Sequence, residues 1–399
     1  MTDQHRLKQL IRERVARTGE SYTTARRHVL AARTPAYSLD AGGVHAPSTL
    51  LRRLLRRNGI DLSEAMACGL GGGIGFMAAV FEYRGVPPIL TIVAQHHPDP
   101  WLPAALGRLG VTFTEGHSAS ARPALAALRS TLDSGLPVYC TIAAGAPRLD
   151  TDPHGVVVTG ESDASFLVDA GGSALAAVGA DDFAAAWSAH RKGRHQRLVV
   201  TGDAPTVPLG AAVRAAIATT VAHLTGPVLG NAFDANFGFA GMTRFAAQLR
   251  TSFPRRFADR AFFARRLREC LEEQYTAPSA TRPLYADFLD EASVVTGDAA
   301  LASAAGLFRE SGAFWSSLAD LGSSGSFAEM ADLVDAAREA EEAAVQLLAS
   351  PSPGPAPRPA PGPAPRPDPG PAPRPAPGPT PRPDPGPAPR PAPGPDLRQ

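Results

Sequence analysis

The sequence predicts an α+β protein with an antiparallel sheet in its front half and an all-helical back half. Three observations carry this and set the domain limits. Over 36–203, amphipathic helical stretches alternate with short β-branched runs, whereas 204–350 is alanine-rich and helical in period throughout. The runs 156–159 and 166–168 are joined only by Glu161-Ser162-Asp163-Ala164, too short for a crossover helix, so these strands pair antiparallel. From Pro353 onward proline holds every other position, which removes alternate backbone donors and leaves no large apolar side chain to bury; 351–399 reads as a disordered, extended tail.

Residues 1–35 read as a basic helical hairpin. Leu7, Leu10, Ile11 and Val15 recur at helix spacing, Thr18-Gly19 breaks the run, and Ser21 caps a second helix through Ala25, Val29 and Leu30. Its arginines, among them Arg12, Arg14, Arg26 and Arg27, invite a nucleic-acid reading. A two-helix unit lacks the third helix that positions a recognition helix, so no nucleic-acid partner is expected. A helix over 48–57 follows, with Leu50, Leu51, Leu54 and Leu55 as its apolar stripe, arginines on the other side, and Asn58-Gly59 as its stop. A short helix over 63–67 precedes a glycine cluster. Strands are expected at 89–93, 112–113, 138–142, 156–159, 166–168 and 197–200, with a strand or helix start at 76–83 and helices at 100–109, 122–134 and 180–189. In 204–350 the leucine and aromatic stripes read as the core of a helical bundle, ending in a helix over 327–348.

A formal charge of +1 on 399 residues gives no global field toward nucleic acid or membrane, so partners must be recognised locally. Cys68, Cys140 and Cys270 have neither metal nor redox spacing, which argues against a disulfide framework and for a reducing compartment. With no apolar signal-type run and no stretch of about 18 apolar residues, a cytoplasmic protein without a membrane span is expected. His96-His97 ahead of Asp99 makes no metal site, because adjacent side chains point apart and no third ligand is suitably spaced. The glycine run 69–75 has Ile74 where a dinucleotide fingerprint needs its third glycine, and no phosphate-loop lysine follows. No cofactor and no metal are therefore expected. Gly71, Gly72 and Gly73, with Phe76, are candidates for close backbone approach to a substrate, a plain tight turn being the alternative.

Chemistry concentrates in Pro153-His154-Gly155 and Leu167-Val168-Asp169. His154 opens a strand and Asp169 closes the next, so a hairpin can bring imidazole and carboxylate to one end of the sheet; each alone is also a common turn residue. The run from Ser48 to Glu64, followed by Gly69-Leu70-Gly71-Gly72-Gly73-Ile74-Gly75-Phe76, resembles the N-terminal domain of the butirosin biosynthesis protein H family. Gly241-Met242 and 282–292 resemble the helical domain of unknown function that commonly follows it. The resemblance implies a papain-like fold related to bacteriocin-leader peptidases and, from the family's namesake, transfer of an aminoacyl group from an acyl-carrier protein to an aminoglycoside amine. It further implies His154 as general base and Asp169 as its orienter, behind a cysteine thiolate at a helix N-terminus.

That cysteine is missing. Counting back from Gly59, its place is held by Ala46, whose methyl group cannot attack a thioester. Ser48 is the nearest hydroxyl and the candidate nucleophile, although a capping rotamer at the helix start would turn it away from the base. Two readings stay open. In one, the chain is an acyltransferase of specialised metabolism, His154 serving as general base while a small-molecule amine attacks a carrier-bound thioester directly. In the other it is catalytically inactive and binds a peptide or carrier-protein partner in the old cleft.

Overall fold

The computed structural model describes residues 3–26, 37–98, 100–143, 153–202, 204–274 and 276–349. The later part of the second N-terminal helix and the proline repeat lie outside them. The first helix, α1 (Asp3–Thr18), stops at Gly19, whose φ of 70° is the left-handed stop expected there, and Ser21 Oγ accepts the Thr24 N–H as the next helix starts.

The helix expected over 48–57 is α2 (Ala46–Arg57), two residues longer at its start. Its Leu50, Leu51, Leu54 and Leu55 are all buried, each contributing about 1.5–3 kcal/mol by leaving water. The stripe of the sequence is thus the packing face. After α3 (Glu64–Leu70) come β1 (Ile74–Phe81) and β2 (Ile89–Gln95), an antiparallel pair. Six further strands follow: β3 (Phe113–Gly116), β4 (Val138–Ile142), β5 (His154–Ser162), β6 (Ser165–Asp169), β7 (Ala176–Gly179) and β8 (Arg197–Val200). They form one antiparallel sheet in the order β3-β8-β4-β5-β6-β7. Strand β7 was not anticipated: Ala176-Ala177-Val178-Gly179 has little strand propensity and forms at the edge that β6 leaves open.

Alternation sorts the sheet into two faces. Val138, Cys140, Val156, Val158, Phe166 and Val168 pack on helices Ala121–Leu132 and Ala180–Ala189 through Ala124, Leu128, Phe183 and Trp187. Val157, Leu198 and Val200 belong to the other core, which contains the α2 leucines.

The back half is helical, as its composition requires, and it packs around β1 and β2. Phe76 stacks on Trp315 with ring centroids 5.5 Å apart, and Ala78, Leu90 and Ile92 share a core with Tyr285, Phe288 and Val345. At the centre lies a fully buried ion pair. The Arg282 guanidinium meets both Glu341 oxygens at 2.8 and 3.0 Å and donates to the carbonyls of Ala94 (2.7 Å) and Gly75 (3.0 Å). Glu341 also accepts from Ser311 Oγ and Trp315 Nε1, so nearly every polar atom of the pair has a partner, the condition under which a buried ion pair is tolerated. Among the described residues no helix is long and apolar enough to cross a membrane.

Candidate functional site

The site is built on the N-terminus of α2. Pro47 in the first turn has no N–H to satisfy and a φ preset for helix, and His45 before it is extended (φ −130°, ψ 99°). The helix start is held by the carboxylate of Glu64, which accepts from the backbone N–H groups of His45 (2.8 Å) and Val44 (3.3 Å) and from Thr49 Oγ1 (3.3 Å). An acidic group here is favoured by the helix dipole. Glu64 is in turn the first residue of α3, whose start is capped by Ser63 Oγ accepting from Met66 N–H at 2.9 Å.

Ala46, the first residue of α2, lies on the wall of a cavity of about 580 Å³. Gly43 to Pro47 form one side. Tyr139 and Thr141 of β4, Pro153 to Gly155 at the start of β5, and the turn Ala170 to Gly172 form another. Gln95 at the end of β2 and Trp101 and Leu102 beyond it close the cavity with Glu273, Gln274 and Thr276 of the back half. Gly171 is needed where it stands: its φ is +89°, and a Cβ there would come 2.8 Å from the Ala46 Cβ. His154 is exposed on this cavity's wall.

Asp169 ends β6, and Val157 is its partner across the β5–β6 ladder, three residues beyond His154. The carboxylate is fully buried and faces Arg53, whose Nη1 lies 2.8 Å from both oxygens; Tyr37 Oη donates to Oδ2 at 2.6 Å and Gly171 N–H to Oδ1 at 2.8 Å. Burial, then the bond to Asp169, push the Tyr37 phenol far above its usual pKa, so it stays a donor. Arg53 also binds Asp40 through Nε (3.1 Å) and Nη2 (2.8 Å). Burial opposes the charged form of Asp40, but hydrogen bonds from Arg53 and Gly42 and the charges of Arg52 and Arg53 prevail, holding its pKa at about 2. The bonds of Asp169 are those of a buried ion-pair network behind the cavity wall.

Ser48 is fully buried, makes no capping bond, and its Oγ lies 2.6 Å from His45 Nδ1. The helix starts two residues earlier than expected, which turns Ser48 from the cap position into the core. Thiols offer no replacement nucleophile, since all three cysteines are buried; burial pushes Cys68 up to about 12, against the opposing effect of a hydrogen bond with Ser48, and raises Cys140 as well.

The glycines are also reassigned. A Cβ on Gly71, Gly72 or Gly73 would run into Trp101, His96 or Tyr285 respectively, and Gly72 and Gly73 have φ of +116° and +60°. They form the tight turn between α3 and β1 against bulky rings, and Phe76 lies under Trp315; none of the four lines the cavity. Sequence reasoning missed His45 and Gln95, which do line it. His45 Nε2 lies 2.7 Å from Gln95 Oε1, a pairing across fifty positions that no local pattern announces.

Residues 45–170 match the model of the butirosin biosynthesis protein H N-terminal family, and 181–348 match a domain of unknown function, DUF4872. No curated protein matches the chain. A solved structure from Bacillus anthracis, described as a C39-like peptidase, aligns with 43% of this chain and 96% of its own at 18% identity and a TM-score of 0.29. The family match begins at His45, the last residue before α2, and ends at Ala170, just past Asp169, so it encloses the helix start and the hairpin that bound the cavity. The chain thus matches the butirosin biosynthesis protein H N-terminal family over 45–170 and DUF4872 over 181–348.

Proposed function

We propose that this chain holds an acyl group borne by a carrier protein or a peptide in the cavity at Ala46, without forming a covalent acyl-enzyme. The observation that carries the reading is the combination at the helix start: a methyl group where the family resemblance calls for a thiol, with the nearest hydroxyl, Ser48, buried against His45. The cavity itself is kept, with one wall from each matched region, and is large enough for a small acyl chain.

A second reading, amide-forming acyl transfer, is favoured by one observation: His154 is exposed on the cavity wall, where it is within reach of an incoming amine. Direct attack on the thioester needs a general base and carbonyl stabilisation but no protein nucleophile. One experiment separates the two. Purified protein and His154→Ala are incubated with acylated carrier protein and a panel of amines, thioester loss is followed by mass spectrometry, and carrier binding by titration calorimetry. Saturable binding without thioester loss in either protein is expected. Turnover that disappears in His154→Ala would establish the second reading, and an acyl adduct on the protein would refute both.

A further inference from the structure

We infer that Gln95 is the hydrogen-bond donor that receives the ligand's carbonyl oxygen beside Ala46, with His45 and Ser48 as positioning residues for its carboxamide. The inference rests on the proposed acyl-binding role of the cavity and names the group that recognises the acyl carbonyl.

A carboxamide oxygen can only accept, so the 2.7 Å contact between Gln95 Oε1 and His45 Nε2 places a proton on Nε2. A neutral imidazole then has a bare Nδ1, which accepts from Ser48 Oγ–H at 2.6 Å. Burial lowers the His45 pKa against the opposing effects of Gln95 and Glu64, so the ring stays neutral and keeps this single tautomer. The ring is also held edge-on to Trp101, with centroids 5.8 Å apart. With Oε1 committed to His45, the carboxamide is fixed in rotation and its two Nε2 protons remain. No described residue is recorded as accepting from Gln95 Nε2, and Gln95 lines the cavity that also contains Ala46 and Trp101. A buried, fully partnered relay ending in an amide donor on a cavity wall is the arrangement that binds a carbonyl oxygen rather than an amine.

Two probes isolate that bond. S-hexanoyl-N-acetylcysteamine is a thioester, and S-hexyl-N-acetylcysteamine differs only in having a methylene in place of the thioester carbonyl. By titration calorimetry the wild-type protein should bind the thioester about three- to tenfold more tightly, the range set by one net hydrogen bond. Gln95→Met, which keeps the length and loses the donor, should bind both probes equally. Ser48→Ala should lower the ratio without abolishing binding. In the wild-type ¹⁵N spectrum the Gln95 side-chain amide should move downfield with the thioester only, which decides the matter even where Gln95→Met does not fold. Equal binding of the two probes to wild type, or a ratio unchanged in Gln95→Met, overturns the inference and leaves the acyl-binding reading standing. Binding of neither probe to wild type overturns both.

Discussion

Replacing Arg53 by methionine tests the ion-pair network that holds Asp169 behind the cavity. Arg53 and Asp169 are both essentially inaccessible to solvent, and the guanidinium donates to Asp169 through Nη1 and to Asp40 through Nε and Nη2. Removing the cation leaves the Asp169 carboxylate buried with only Tyr37 Oη and Gly171 N–H as partners, a loss of about 3–5 kcal/mol. At roughly 2 °C per kcal/mol for a chain of this size, the thermal midpoint should fall by about 6–10 °C, measured by circular dichroism at pH 7. The pH dependence supplies a second, sign-based check. In the wild type the Asp40 pKa is about 2, below its unfolded value of about 3.9, so its contribution is fully present above about pH 4 and is lost as the pH falls toward 2. In Arg53→Met, Asp40 loses the first of the bonds that hold its pKa down, so the stability lost between about pH 4 and pH 2 should be smaller than in the wild type. A second substitution, Asp169→Leu, should restore part of the midpoint because it removes the uncompensated charge. A midpoint loss below about 1 kcal/mol, or an acid loss as large as that of the wild type, would show that the pair does not hold this region.

Three further outcomes follow from the same geometry. Glu341→Ala should destabilise by about 3–5 kcal/mol in urea melts, because it strands the Arg282 guanidinium among apolar residues, whereas Asp332→Ala on the same helix, whose salt bridge to Arg250 is solvent-exposed, should cost under about 1 kcal/mol. Gly72→Ala should cost about 2 kcal/mol or more by the same measurement, since φ is +116° and the His96 ring occupies the space a methyl group needs. Ala46→Cys should place a thiol on the cavity wall at a helix N-terminus, and iodoacetamide labelling followed by peptide mass spectrometry should mark it well before the buried Cys68 and Cys140; equal labelling of the three would place Ala46 elsewhere.

The parts of the fold legible in the sequence were those written in local periodicity. The leucines of α2, the alternation of β4, β5 and β6, and the hairpin joining β5 to β6 each express a constraint between neighbours and each is present, although the turn is only Asp163-Ala164, Glu161 and Ser162 pairing within the hairpin. Strand β7 was not legible because its formation depends on an open edge supplied by β6, not on its own residues. At the site the same division holds. The body of α2 and its C-terminal stop could be read from spacing, but the bonds of Asp169, Ser48 and Gln95 depend on partners 116, 3 and 50 positions away. Even the close pair, Ser48 and His45, was misread, since starting the helix at Ala46 turns Ser48 inward.

Arg53 shows most plainly what periodicity leaves out. In α2 the arginines alternate with the leucines and read as a solvated face, yet Arg53 is 1% exposed and Arg57 7%, and Arg52, Arg53 and Arg56 converge on Asp40. A helix with charge on both its lower and its upper turns would stay at the surface unless fixed anions met it, and Asp40 and Asp169 are those anions. The segment carrying Asp40 runs directly into Gly43, Val44 and His45 on the cavity wall, while Asp169 runs into Ala170, Gly171 and Gly172 on the wall opposite. One guanidinium thus ties together the roots of both walls. That position explains how the cavity keeps its shape around a methyl group at Ala46: the buried Arg53–Asp169 pair anchors the frame from behind it.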